Sequence, residues 1–254
     1  MAFLRSIITV SSLTMVSRFF GFARDIIIAA TLGAGMVADA FFVAFKLPNL
    51  FRRLFAEGAF SMAFVPIFAG ILEKEGEKKA KEFAGEVMGV LFIGILFLVL
   101  IIEISMPWVM MVFAPGFIET PEKFNLTVEF TRITFPYILL ISLISLLAGV
   151  LNSFGKFAAA AATPILFNLC LIGSVLFLVP FLPSPGHALV WGVFLSGFVQ
   201  LLWMIFNCFK NEIWFEMPVF VFSQNVCTFL KRVLPVAMGA GIYQINLLTD
   251  TIIA

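Results

Sequence analysis

The sequence predicts an all-α polytopic membrane protein, and three observations carry that expectation. Hydrophobic residues make up 62% of the 254 residues and charged residues 12%, with a mean hydropathy of +1.11; a soluble domain holds roughly 45–50% apolar residues. The apolar residues fall into runs of about 20 or more, enough for a helix to cross a hydrocarbon layer about 30 Å thick. A net charge of +1 gives no global bias toward nucleic acid or an acidic partner, so electrostatic meaning lies in where the charges sit. The spans are expected to be helical because an open sheet leaves its backbone unsatisfied in lipid.

Seven candidate spans follow in order, at 7–32, 37–70, 85–112, 128–152, 157–182, 187–209 and 233–254. In span one, Arg18 interrupts the apolar run after Ile7–Val16 and no small-x-small cleavage site follows, so the segment is expected to stay in the membrane rather than leave as a signal peptide. Gly33-Ala34-Gly35 separates it from span two, where Pro48 removes a backbone donor and is expected to kink the helix. The mixed-sign stretch Glu73–Glu82 reads as a solvated loop. In span three, Gly85-x-x-x-Gly89 permits close helix packing. Ala114–Phe124, Asn152–Lys156, Pro180–Gly186 and the longer Lys210–Lys231 supply the remaining connectors. The expected organisation is a six-helix lobe over 1–210, a cytoplasmic linker over 211–232, and the first helix of a truncated second lobe over 233–254.

Lys and Arg placement sets the expected orientation. With the N terminus inside, cytoplasmic segments hold nine (Arg5, Lys74, Lys78, Lys79, Lys81, Lys156, Lys210, Lys231 and Arg232) and outside segments two, Lys123 and Arg132; positive charge marks the cytoplasmic side. A weak repeat aligns Phe3–Ile28 with Phe229–Ala254 at five identical positions of 26. Parallel spans one and seven then imply two six-helix lobes related by an axis along the membrane normal.

The other five basic residues lie inside the first two spans. Span one places Ser11, Arg18 and Asp25 on one helical stripe and Ser17 and Arg24 on a neighbouring one. Span two repeats the device with Asp39, Lys46 and Arg53 at seven-residue steps, Asn49 and Arg52 nearby, and Glu57 one turn after Arg53. Exposing these eight ionisable groups to lipid would cost about 20–28 kcal/mol at about 2.5–3.5 kcal/mol each. They are therefore expected to pair in a dry bundle or to line a watery cavity. Asp25 points about 100° from Arg24 on an ideal helix, so local sequence is not expected to neutralise Arg24. Five cations against three acids leave two positive charges, which predicts a cavity that attracts an anion, with Arg suited to bidentate phosphate contact. The opposing reading makes Arg18–Asp25 and Arg53–Glu57 buried pairs that fix helix register. Elsewhere the sequence is quiet. His187 has no acid or thiol at ligand spacing, and Cys170, Cys208 and Cys227 read as small apolar residues. No nucleophile–base set or metal cluster suggests an enzyme.

Two stretches, Ser17-Arg18-Phe19-Phe20-Gly21-Phe22-Ala23-Arg24-Asp25 and Asp39 through Ser61, closely resemble the MurJ (MviN) family. So do Ala63-Phe64-Val65-Pro66, Ala114-Pro115-Gly116-Phe117 and Thr134-Phe135-Pro136-Tyr137-Ile138-Leu139-Leu140. The resemblance implies membership of the multidrug/oligosaccharidyl-lipid/polysaccharide exporter superfamily. It also implies flipping of lipid II, the undecaprenyl-pyrophosphate-linked peptidoglycan precursor, across the bacterial inner membrane by alternating access. By the same resemblance Arg18, Arg24 and Arg52 match cavity arginines required for function and Asp39 a required acid. Arg53, Asn49, Glu57 and Ser61 lie in the same signature, with Lys46 beside them. Family members have two full lobes, so this length of chain is not expected to transport alone. No cofactor is expected in it; transport is expected to draw on an ion gradient or the membrane potential. Expected partners are lipid II, membrane lipids and cell-wall synthesis proteins. The rival expectations are an exporter of another polyprenyl-linked saccharide and a non-transporting membrane scaffold.

Overall fold

The computed structural model describes residues 2–52, 59–214 and 220–235, and among them the chain is a helical bundle. In order come α1 (Ala2–Leu32), α2 (Met36–Arg52), α3 (Ala59–Glu75), α4 (Glu77–Phe113), α5 (Pro121–Thr134), α6 (Tyr137–Ser153), α7 (Phe157–Leu178) and α8 (Pro185–Lys210). A further helix, α9, runs over 224–235. Among the described residues, four segments are long and apolar enough to cross a membrane: Glu77–Phe113, Pro121–Ser153, Phe157–Phe181 and Pro185–Lys210. α1, with 31 residues, has the length, about 46 Å at 1.5 Å per residue, and carries Arg18, Arg24 and Asp25. Predicted span two is realised as α2 and α3, and span four as α5 and α6. Predicted span seven lies almost wholly outside the described residues.

Four of these helices run through a proline. Pro48, Pro66, Pro107 and Pro164 sit inside helices, and each deprives the carbonyl four residues earlier of its helical donor. Threonine hydroxyls approach two of those carbonyls. Thr163 Oγ1 donates to the Ala160 carbonyl at 2.8 Å, beneath Pro164, and Thr134 Oγ1 reaches the Ala44 carbonyl at 3.5 Å, beneath Pro48.

The stretch expected to be a charged loop, Glu73–Glu82, is helical instead, broken only at Gly76 with φ 88°, a left-handed value that favours glycine. Its charges pair along the first turns of α4, Lys81 with Glu77 at 2.6 Å and Lys79 with Glu82 at 2.5 Å. Ala80 and Phe83 are buried beneath them, so one face of this stretch packs and only the other is solvated.

α6 is the centre of the bundle. Most of it is buried, against α3, α4 and α8, with smaller contacts to α2 and α7. α1 packs on α7, α7 on α8, and α2 on α5. Helices approach closely where glycine removes the side chain: a Cβ at Gly186 of α8 would lie 2.6 Å from the Phe130 ring and from Val37. The stretch after α8 packs on the bundle as well. Phe229 of α9 is buried, with its ring 5.4 Å from Phe60 and 6.1 Å from Phe64. Ser223 accepts from the Val226 N–H at 3.3 Å and donates to Glu86 of α4 at 2.5 Å, capping α9 and tying it to the bundle.

Candidate functional site

Arg24 organises the site. On α1 it shares a face with Ser17, Gly21 and Ile28, the face that meets α7. Its Nη1 donates to Asn168 Oδ1 at 2.8 Å. Nε and Nη2 both donate to Asp25 Oδ1, at 2.9 and 2.7 Å. Asn168 is 5% exposed, and its other end is occupied as well: Nδ2 donates to the Ser17 carbonyl at 3.1 Å. Beside them opens a cavity of about 340 Å³. Gly21 and Arg24 of α1, Phe45 and Asn49 of α2, Ile141 of α6, Thr163 to Asn168 on one face of α7, and Gln200 of α8 wall it. Gln200 is buried and held by the Ser196 carbonyl at 3.0 Å and the Tyr137 hydroxyl at 3.4 Å.

A guanidinium offers five N–H donors. Three are engaged among the described residues, so two remain on a side chain that lines the cavity. Asp25 is 66% exposed at its side chain and Arg24 22%. The site can thus present a mostly buried cation, held from below by a neutral amide and from outside by an exchangeable carboxylate.

Of the residues expected to line this site, the structure brings together Arg24 and Asn49. The expectation that Asp25 leaves Arg24 unneutralised is corrected. The two side chains leave the helix about 100° apart, but arginine has four side-chain torsions and swings across to its neighbour. Arg18 is exposed and meets no partner among the described residues. It lies with Ser11 and Asp25, all three exposed, on a stripe pointing away from the cavity, so the Arg18–Asp25 pair is not formed. Lys46 lines a separate cavity of about 220 Å³ with Val43 and the Phe113–Phe117 turn. The seven-residue step does put Asp39 and Lys46 on one stripe, but that stripe faces α5 and the turn before it, while Phe45 and Asn49 face the cavity. Asp39 pairs with Lys123 of α5 at 2.5 Å, and Lys123 also lies 4.0 Å over the Phe117 ring. Asp39 is thereby spent at one end of the bundle, on a lysine outside the predicted set. Ser61 is half-buried on α3, outside the cavity wall. The side chain of Arg52, and the whole of Arg53 and Glu57, lie outside the described residues.

Sequence reasoning missed Asn168 and Gln200. Each is an amide within an otherwise apolar span, and a polar group at membrane depth is itself a signal. It also missed Glu103 in span three, whose Oε1 is buried without a hydrogen-bond partner. His187 gains through the fold the acid it lacks in sequence: Glu129 Oε1 is 3.3 Å from its Nε2, and Ser184 Oγ 2.8 Å from its Nδ1.

A family model described as "Lipid II flippase MurJ" matches residues 28–254. The chain belongs to the MurJ family. Among MurJ relatives it is similar to the probable lipid II flippase MurJ of Rhizobium tropici, 42% identical over all of this chain and 48% of that protein. Similarity to the corresponding protein of Rhizobium meliloti strain 1021 is 44%, with the same coverage. The lipid II flippase MurJ of Burkholderia cenocepacia is 36% identical over 98% of this chain and 49% of its own length. The chain therefore spans about half the length of the curated relatives it matches. A solved MurJ structure in an inward closed conformation superposes with a TM-score of 0.77 at 27% identity, over 96% of this chain and 50% of that one. MATE transporter structures share the fold, with a TM-score of 0.68 at 18% identity in one case. The chain is thus a multi-pass helical membrane protein with the architecture of one MurJ half.

Proposed function

We propose that this chain supplies the anion-binding lobe of a flippase that moves lipid II from the cytoplasmic to the outer leaflet of the bacterial inner membrane. Membership of the MurJ family and the placement of Arg24 on a cavity wall support the reading together. The pyrophosphate of such a lipid enters the cavity and takes the two free donors of Arg24, displacing the exposed Asp25 carboxylate, while Asn49 and Gln200 line the wall across the space. A phosphate oxygen gains more than a neutral acceptor from a guanidinium held in a partly dry site. The polyprenyl tail stays in lipid, so no covalent chemistry is required. The exposed Arg18 stripe of α1 faces a second lobe in this reading, and rocking of the lobes exposes the headgroup alternately to each side. The nine-to-two placement of Lys and Arg supports a cytoplasmic N terminus.

The observation that carries the reading is a cationic guanidinium beside a cavity inside a span. The test is translocation of lipid II by the full-length protein bearing Arg24→Ala. Translocation should be lost at an unchanged membrane level, and normal flipping by that variant would overturn the proposal. Titration of the same protein with a different polyprenyl-linked saccharide separates lipid II from its chemical neighbours.

A further inference from the structure

We infer that Asn168 is a positioning residue that holds the Arg24 guanidinium at the cavity wall for phosphate; this rests on the function proposed above. Asn168 lies midway along α7, in a segment otherwise made almost entirely of apolar residues. Burying an amide there is costly unless both its ends are bonded, and both are. Nδ2 donates to the Ser17 carbonyl at 3.1 Å and Oδ1 accepts from Arg24 Nη1 at 2.8 Å. The first bond has a consequence for the second. Because only the NH₂ end can donate to a carbonyl, Ser17 orients the amide with its oxygen toward Arg24.

Asn168 and Asp25 hold the same guanidinium on different terms. Asp25 is charged and exposed, so an incoming phosphate can replace it. Asn168 is neutral and buried, so it anchors Nη1 without cancelling the positive charge or competing as an anion. A carboxylate at 168 would keep the contact and abolish the attraction; an aliphatic side chain would keep the packing and release the guanidinium. The amide is the side chain of this size that does both jobs.

The experiment measures binding of undecaprenyl pyrophosphate to the full-length protein in nanodiscs, comparing wild type, Asn168→Leu, Arg24→Ala and the double variant. Asn168→Leu should weaken binding about tenfold, the scale of one lost hydrogen bond to a charged group. The double variant should bind no more weakly than Arg24→Ala alone, because Asn168 acts through Arg24. Losses that multiply in the double variant would mean a purely structural role for Asn168 and overturn the inference, as would wild-type binding by Asn168→Leu. Should Asn168→Leu fail to reach the membrane, Asn168→Asp serves: it retains a partner for Arg24 yet should lose affinity at neutral pH, and undiminished binding would sink the idea. Wild-type binding by Arg24→Ala would instead discard the phosphate role of Arg24 itself, an outcome distinct from failure at Asn168 alone.

Discussion

The guanidinium of Arg24 divides its donors between an exposed carboxylate and a buried amide, and the two contacts differ in weight. Asp25 lies on the stripe of α1 that turns away from the cavity, whereas Asn168 is buried against α1, so only the amide contact is fixed by the packing of this bundle. The Asp39–Lys123 pair at the end of α2 behaves differently, because Lys123 also rests on the Phe117 ring. Lys123→Ala removes an ion pair and a cation–π contact of about 0.5–1 kcal/mol, whereas Asp39→Ala removes the pair alone. Thermal unfolding should therefore rank Lys123→Ala as the more destabilising of the two, and the reverse order would show that Asp39 has a further role. The types of these residues were legible in the sequence, but their partners were not. Arg24 and Asn168 stand 144 positions apart, and no local pattern joins them.

Among the elements, α7 shows how a proline can be accommodated within a span. Pro164 leaves the Ala160 carbonyl without its helical donor, and Thr163 supplies a hydroxyl in its place. Thr163→Val keeps the shape and deletes the donor, so it should cost about 1 kcal/mol; thermal unfolding of the variant checks this, and a neutral result would mean that another donor reaches the carbonyl. The loss of a helical donor at Pro48 was legible from the residue alone, since proline acts on its own backbone. Helicity across Glu73–Glu82 was not. Its charges read as a loop because composition alone does not show that Ala80 and Phe83 are covered. In α9 the anchor is Phe229, packed among the rings of Phe60 and Phe64. Phe229→Ala should speed amide exchange across 224–235 by an order of magnitude or more, in keeping with the loss of about 3 kcal/mol or more for a buried ring. Unchanged protection there would show that the Ser223–Glu86 contact suffices to hold the helix.

At the scale of the whole molecule, the bundle is held by close helix approach around α6, and no disulfide joins its described cysteines. Gly186 faces an aromatic ring and a branched side chain, so Gly186→Ala places a methyl where both already stand. A loss of about 1–3 kcal/mol is expected from such overpacking, seen as a lower unfolding temperature and reduced membrane level, while Gly116→Ala, with open space around it, should be nearly neutral. Equal tolerance at both positions would mean that α5 and α8 are free to move apart. The outer surface carries many exposed large apolar side chains, among them Phe97, Trp108, Leu176 and Phe177, as a helix wall bathed in lipid should.

By itself, the sequence determined that this protein is a helical membrane protein, roughly where its spans lie, and that cations sit within the first two of them. Run length is a local quantity that can be compared directly with the thickness of a bilayer, and a charge among apolar neighbours announces itself. Only the tertiary structure decided which of those charges share a space. That depends on how each helix is rotated about its own axis against its neighbours, and on how far a long side chain can reach around its helix. Arg24 and Arg18 are equally conspicuous in the sequence; packing against α7 sends one to the cavity and leaves the other on an open face.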